Sequence, residues 1–214
     1  MKKIDIPLKL QKEGSMDCGP VCVQMVLGYF GITKDIESLV EKLKYAESGT
    51  SAYDNGALLL DSGLKVTAIT AQPRLFPPEV ISSVSSKEDL LNVIESRKQQ
   101  VRNQKDKDNL GTFEKFLNKG GSIKLEIPNF NHIKSAIDSN QPVVALLFGQ
   151  ALGKNEGGFH FVVVSGYDEN NIYINNPSSI SSKNGCFPID RFLYALHSST
   201  TIEFDNGTLL IVSK

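Results

Sequence analysis

The sequence predicts an α+β fold in which a helical first third packs on an antiparallel β-sheet formed by the last third. Three helical patterns precede the first substantial strand, which we place at residues 64–70. The last third instead holds three apolar runs of strand length, at residues 143–148, 159–167 and 171–177. Such runs are typical of buried strands. The 214 residues are enough for one large core, so we interpret residues 1–214 as a single domain.

A buried central helix is predicted over residues 18–30, after a short alternating segment at residues 4–10 that favours a strand. Nearly every position of the helix is apolar, which indicates that other elements cover it on most sides. Asp17 is placed to cap its first turn, and Gly31 to end it. Two more helices complete the first third. Thr33 begins the helix at residues 33–43, and Ser51 with Asp54 resembles a capping box for the helix at residues 51–60.

The middle of the chain, residues 73–122, is predicted to be a helical insertion or cap on this core. Prolines break regular structure at its start, and Ser86 with Asp89 begins one long polar helix. The charges alternate in sign along that helix, which indicates a solvated face that adds little to the core.

Turn residues at 168–171 join the last two core strands, so these strands should form an antiparallel hairpin. A glycine-rich polar loop, residues 149–158, joins the first two. Asn131 is predicted to cap a short helix that ends at Ser139, before the first core strand. A helix at residues 188–196 and a strand at residues 208–212 finish the chain.

The charge and the cysteine content exclude several classes of function. A formal net charge of -1 gives no concentrated basic surface for a nucleic-acid partner. The three cysteines, Cys18, Cys22 and Cys186, cannot all pair, and their spacing matches no zinc framework. We therefore predict a reducing compartment, no metal site and no cofactor. The sequence does not define an oligomeric state.

The amino terminus gives no targeting signal. It begins with two lysines, but Asp5, Pro7 and Lys9 interrupt it before an apolar signal-peptide core can form. No stretch reaches the apolar length that spans a bilayer. The sequence alone thus predicts a cytoplasmic protein without a membrane span.

Cys18 is the candidate nucleophile because it begins the central helix behind a Gly-Ser loop. The positive end of a helix dipole favours the thiolate, which is the form that attacks carbonyl carbons. Gly19 would let the backbone approach a substrate closely, and Pro20 suits the first turn. The alternative interpretation is a buried core cysteine, as most free cysteines are.

A cysteine nucleophile also needs a base, a group that orients the base, and donors for the oxyanion. His160 is polar within a run of Phe, Val and Ser, and Asn176 ends the strand predicted to pair with that run. The hairpin would bring them together, although a core histidine and an Asn-Pro turn are the simpler interpretations. Gln11 could donate its side-chain amide to the oxyanion with the Cys18 backbone N–H, unless it is simply an exposed glutamine.

Several segments together resemble the bacteriocin-processing peptidase family, whose members are papain-like cysteine peptidases that cut after double-glycine leaders. These segments are Gln11 and residues 17–20, 134–144, 160–168 and 172–177. The resemblance implies a papain-like fold, with the nucleophile on a central helix packed on the sheet, and a peptide or protein substrate. It implies these roles: Cys18 as nucleophile, His160 as general base, Asn176 as orienting residue and Gln11 as oxyanion donor.

Two features differ from that family. Asn176 stands where the family usually has Asp before Pro, and Gln11 is one residue further from Cys18. The best-known members are fused to membrane-spanning exporters, so we do not extend the double-glycine specificity to this chain. The residues fit hydrolysis of a peptide or amide bond through a Cys18 thioester. They also fit an acyltransferase or transpeptidase that uses the same thioester, and the two differences fit a non-catalytic binding module on a degenerate scaffold.

In the sequence, the middle segment lies between the helix that carries Cys18 and the strand that carries His160. Papain-like clefts run between those two halves, so we expect residues 73–122 to act as a lid or a substrate-selecting cap. Replacing residues 79–121 with a short Gly-Ser linker should then leave a folded protein whose selectivity is relaxed.

Overall fold

The structure is a computed structural model that describes residues 1–43, 49–73, 75–152, 158–178, 184–199 and 207–214. Within these ranges the chain forms eight α-helices, a short 3₁₀ helix at Gly149–Ala151 and an eight-stranded sheet, which confirms the α+β class. The helices are α1 Cys18–Tyr29, α2 Ile36–Val40, α3 Ala52–Leu60, α4 Pro78–Ile81, α5 Lys87–Gln100, α6 Gln104–Asn118, α7 Phe130–Asp138 and α8 Ile189–Ser198. The strands are β1 Lys2–Lys3, β2 Lys65–Thr70, β3 Ser122–Leu125, β4 Val143–Phe148, β5 Phe159–Tyr167, β6 Asn171–Asn175, β7 Asn184–Pro188 and β8 Leu209–Ser213. Of the predicted loop at 149–158, residues 153–157 lie outside the described residues.

The sheet runs in the order β3-β2-β8-β4-β5-β6-β7, and β1 pairs with the far end of β5. β2 and β3 are parallel, and the other paired strands are antiparallel. The predicted core strands are β4, β5 and β6, and the first two are almost continuously buried. The sequence did not predict β3 and β7, which lie at the two ends of this order.

Asp168 closes the predicted hairpin between β5 and β6. Its carboxylate accepts hydrogen bonds from the backbone N–H groups of Asn170 and Asn171, at 2.9 and 2.8 Å, and from the Tyr173 hydroxyl. The Tyr173 bond, followed by the backbone donors, lowers the pKa of Asp168 to about 2. The same bond raises the pKa of Tyr173 to about 12. The hairpin is therefore fixed at its closed end.

The α1 helix is buried on most sides, as predicted, and it packs on β5 and α3. Its first turn is closed by the Val21 N–H, which donates to the backbone oxygen of Asp17 at 2.9 Å. Asp17 has φ -90° and ψ 15°, outside the extended region from which a cap side chain reaches back over the first turn. The prediction that the Asp17 side chain caps this helix is wrong.

Two other predicted caps lie elsewhere. The cap of α2 is Asp35, not Thr33, since the Asp35 carboxylate accepts the Ser38 N–H at 2.7 Å. The cap of α7 is Asn129, not Asn131, because Asn129 has the extended backbone and accepts N–H groups of the first turn. The predicted caps of α3 and α5 are confirmed, at Ser51 and Ser86.

Residues 4–10 do not form the predicted strand. Only residues 2–3 pair with β5. The next bond, from the Ile4 N–H to the Ser165 oxygen at 2.8 Å, falls where the register of β5 shifts. From there the chain runs beside the sheet without a regular strand, and the Ile6 oxygen accepts the Asn175 side-chain amide at 2.8 Å.

The middle of the chain holds α5 and α6 where the sequence predicted one long helix, and α6 adds to the core. The rings of Phe113 and Phe116 are buried, with centroids 4.3 and 5.7 Å from that of Tyr53 in α3. The apolar residues of α6 recur at helical spacing among many charged residues. The polar composition of the helix therefore does not reveal that one of its faces is buried. The expectation of little core is wrong for α6, whereas the boundary of an insertion at residues 73–122 stays a prediction.

Candidate active site

Cys18 and His160 lie toward the same end of the packed pair formed by α1 and β5. The opposite ends of both elements meet at Asn140. Tyr29, at the end of α1, donates its hydroxyl to the Asn140 backbone oxygen at 3.0 Å. Lys2, which pairs with the far end of β5, donates to the Asn140 side chain at 3.2 Å. Because α1 packs on β5, its first residue Cys18 lies toward the start of β5, where His160 is.

His160 and Asn176 are in direct contact. Val163 in β5 pairs with Asn175 in β6, so the alternation of side chains along each strand puts His160 and Asn176 on the same face of the sheet. His160 Nε2 lies 2.7 Å from Asn176 Oδ1. The predicted approach of these two residues is therefore confirmed, and it depends on the register of the hairpin.

The hydrogen bonds around Asn176 define which nitrogen of His160 carries a proton. Asn176 Oδ1 also accepts the Ser178 backbone N–H at 2.9 Å, so this atom is the amide oxygen and not the nitrogen. An oxygen acceptor requires His160 Nε2 to carry the hydrogen. The neutral imidazole then has its lone pair on Nδ1, which is the atom able to accept a proton.

The backbone of Gln11 is hydrogen-bonded to the turn that follows Asn176. Its N–H donates to the Pro177 oxygen at 2.8 Å. Its side-chain Nε2 donates to the Ser15 oxygen at 3.0 Å, within the loop that leads to Cys18. One Nε2 hydrogen is thus engaged in the loop, and the second is left for another acceptor. The role of Gln11 as oxyanion donor stays a prediction.

Packing against α3 requires a glycine at position 19. A Cβ atom built on Gly19 would lie 2.4 Å from both Asn55 Nδ2 and Thr50 Oγ1, so a larger residue would push α1 away from α3. The sequence did not indicate that Asn55 and Thr50 lie against Gly19, next to Cys18. A signal was present, since Asn55 is an amide within the apolar pattern of residues 52–60.

The comparison with protein-family models decides the family. The model described as the Peptidase_C39 like family matches residues 3–193, which is most of the chain. The chain belongs to this family. The resemblance to bacteriocin-processing peptidases is confirmed, and membership supports a cysteine-peptidase-like function.

Three solved structures share the fold of this C39-like chain. A double-glycine motif protease from an AMS/PCAT transporter, solved in complex with the leader peptide, is 15% identical with a TM-score of 0.51, over 99% of this chain and 93% of that one. The peptidase domain of Streptococcus ComA, a bi-functional ABC transporter, is 17% identical with a TM-score of 0.52, over 98% of each chain. A Bacillus anthracis protein described as a C39-like peptidase is 15% identical with a TM-score of 0.54, over 100% of this chain and 98% of that one. These likenesses establish the papain-like fold. A comparison with curated protein sequences finds no match.

The three cysteines of this C39-like chain have different environments. Cys18 is partly exposed, Cys22 is buried, and Cys186 is exposed on β7. Burial, and after it the neighbouring Cys18, raises the pKa of the Cys22 thiol well above its usual value. Cys22 is therefore protonated and inert.

The described part of this C39-like chain shows neither a metal cluster nor a membrane helix. No three of its described His, Cys, Asp or Glu side chains are grouped as a metal ion would require. None of its described helices combines the length and the apolar character that crossing a bilayer takes.

Proposed function

We propose that this C39-like chain is a cysteine peptidase that cleaves a peptide or amide bond through a thioester on Cys18. The observation that carries the proposal is the 2.7 Å contact of His160 Nε2 with Asn176 Oδ1. This contact leaves Nδ1 of His160 as a base, at the end of β5 toward which Cys18 lies. Membership of a cysteine peptidase family supports the same chemistry.

In the proposed reaction, the Cys18 thiol gives its proton to His160 Nδ1 while the sulfur bonds to the substrate carbonyl carbon. The resulting oxyanion accepts hydrogen bonds from the Cys18 N–H and from the remaining Nε2 hydrogen of Gln11. The intermediate collapses, the carbon–nitrogen bond breaks, and the His160 imidazolium protonates the leaving amine. A water molecule then gives a proton to His160 and bonds to the thioester carbon, the carbon–sulfur bond breaks as the acid leaves, and the His160 imidazolium returns the proton to the Cys18 sulfur.

The proposed substrate is a peptide or a protein. A solved structure of the same fold is a protease in complex with a leader peptide, which supports this class of substrate. A reducing compartment such as the cytoplasm suits the proposed chemistry, because it keeps a nucleophilic thiol free.

The reactivity of Cys18 tests the proposal. Acetylation by p-nitrophenyl acetate should release a burst of p-nitrophenolate that is absent in Cys18→Ala, because the proposed reaction needs the Cys18 sulfur and His160 as its base. Iodoacetamide at neutral pH should label Cys18 well before the other two cysteines. Cys22 is buried and protonated, and Cys186 is the exposed internal control. Mass spectrometry of tryptic peptides measures both modifications.

Two results would contradict the proposal. One is labelling of Cys18 and Cys186 at equal rates, and the other is a burst that persists in Cys18→Ala. Incubation with a library of proteome-derived peptides, with Cys18→Ala as control, then distinguishes hydrolysis of the thioester from its transfer to an amine. New amino termini without ligated products indicate a peptidase, whereas joined peptides indicate a transpeptidase.

Replacing Asn176 tests the orientation of the base. We expect Asn176→Ala to slow the acylation of Cys18 by about ten- to a hundredfold, since the imidazole loses the acceptor that directs it. Asn176→Asp should keep most of the rate, because a carboxylate accepts the same bonds from His160 and from the Ser178 N–H. The rate of the p-nitrophenolate burst measures both effects. Asn171→Ala, at the other end of β6, is the matched control. Wild-type acylation in Asn176→Ala would show that Asn176 is only a turn residue.

A further inference from the structure

The first turn of α1 lies directly against two polar side chains at the start of α3. A Cβ atom on Gly19 would be 2.4 Å from Asn55 Nδ2, 2.4 Å from Thr50 Oγ1 and 2.8 Å from Asn55 Oδ1. Gly19 follows Cys18, so these two side chains form the wall behind the backbone of the proposed nucleophile. No further heavy atom fits between them and the start of α1.

The Asn55 amide is held in one orientation. Its Nδ2 donates to the Ser51 backbone oxygen and to Thr50 Oγ1, both at 2.9 Å. A reversed amide would place its oxygen against the Ser51 oxygen, so this contact distinguishes the two ends of the amide. The side chain has 0% exposure and cannot turn away into solvent. It is therefore a rigid surface for α1.

The oxygen of this amide has an unusual environment. Asn55 Oδ1 is buried and, within the described part of the chain, has no hydrogen-bond partner. Buried acceptors in native proteins nearly always have a donor, so an exception calls for an explanation. This oxygen lies beside the first turn of α1, where N–H groups lack intrahelical acceptors and the helix dipole is positive. The negative end of the Asn55 amide therefore attracts the start of α1.

We propose that Asn55 is a positioning residue that holds the first turn of α1 through Gly19, so that the backbone N–H of Cys18 points at the oxyanion. The inference rests on the proposed function, since it requires Cys18 to attack a carbonyl carbon. Asn55 touches neither the substrate nor the reacting atoms, and it acts through Gly19. Asn55 should therefore affect those reactions of the Cys18 sulfur that form an oxyanion. Reactions of the same sulfur that form no oxyanion should not depend on Asn55.

Two reagents separate these reactions in the full chain. With p-nitrophenyl acetate, the sulfur bonds to the carbonyl carbon, an oxyanion forms and collapses, p-nitrophenolate leaves, and the thiol proton passes to His160. With iodoacetamide, the sulfur bonds to the methylene carbon and iodide leaves, without an oxyanion. We expect Asn55→Ala to slow the acylation of Cys18 by about tenfold or more, and to change its alkylation by less than about twofold.

Ala57→Gly is the matched control, because it weakens the same helix. Two positions apart on a helix, Ala57 and Asn55 face nearly opposite sides. This variant should leave the ratio of acylation to alkylation at the wild-type value. If Asn55→Ala does not fold, Thr50→Ala takes its place, since it removes one of the two bonds that hold the amide. It should lower the ratio in the same direction by a smaller factor.

The outcomes are distinguishable. An unchanged ratio in Asn55→Ala, or a fall in both rates together, would overturn the inference and leave the proposed function intact. An equal fall of the ratio in Ala57→Gly would also overturn it, because the effect would then be general weakening of α3. A wild-type protein that acylates no faster than Cys18→Ala would overturn the proposed function, and the inference with it.

Discussion

Replacing His160 with alanine is expected to slow the acylation of Cys18 by a factor of about 10² to 10⁴, the usual contribution of a general base. The reason is structural. His160 Nε2 is engaged with Asn176, so Nδ1 is the base available to the thiol. The fold should persist, because His160 lies at the partly exposed start of β5. The burst of p-nitrophenolate measures the rate, and calorimetric melting measures the fold.

His132→Ala is the matched control for this variant. The His132 ring is hydrogen-bonded too, since its Nε2 contacts the Glu126 carboxylate at 2.9 Å and its Nδ1 accepts the Asn129 N–H at 3.2 Å, but it lies on α7. Its loss should leave acylation unchanged. Added imidazole should restore part of the rate in His160→Ala and none in Cys18→Ala. Near-normal acylation in His160→Ala would show that the base lies elsewhere.

Asn176 shows why two interpretations of one residue need not exclude each other. The sequence presents Asn176 before Pro177, which is typical of a turn. The structure shows that turn, since Oδ1 accepts the N–H two residues further on, from Ser178. The same oxygen is also the one that contacts His160. A linear pattern cannot show that a single atom has two donors, because the second donor comes from another strand.

The elements that could be predicted are those whose burial leaves a direct pattern in the sequence. The unbroken apolar runs of α1, β4 and β5 indicated their positions, and the turn at residues 168–171 indicated the hairpin. The edge strand β3 could not be found in this way, because its four residues alternate and are only partly covered. The contact of Gly19 with Asn55 was also out of reach, since it depends on how α1 and α3 pack.

The middle segment is placed poorly for a lid over the proposed site. In α3, Tyr53 and Gly56 face α6, as the ring contacts with Phe113 and the closeness of Phe116 show. Asn55 faces α1 instead, so α6 lies on a different side of α3 from Cys18. The following strand β3 ends the sheet at the edge away from β6. We therefore propose that residues 73–122 support the core rather than cover a cleft.

Replacing residues 79–121 with a short Gly-Ser linker is accordingly expected to abolish cooperative unfolding, contrary to the expectation from sequence. The linker would remove these buried side chains: Leu90, Ile94, Leu110, Phe113, Phe116 and Leu117. It would also uncover Tyr53 and Phe76, which pack on Phe113. Losing one buried phenylalanine side chain costs about 3 to 5 kcal/mol, and a whole domain is stable by only about 5 to 15 kcal/mol. Thermal melting followed by circular dichroism measures the loss.

Point variants test the same expectation without a deletion. Phe113→Ala should lower the free energy of unfolding by about 3 to 5 kcal/mol, because it leaves a cavity between α6 and α3. Lys107→Ala, on the exposed face of the same helix, should change it by less than about 0.5 kcal/mol. Urea unfolding measures both values. A linker variant that melts cooperatively and retains a reactive Cys18 would contradict the core interpretation and favour a removable cap, because stability would then not depend on α6.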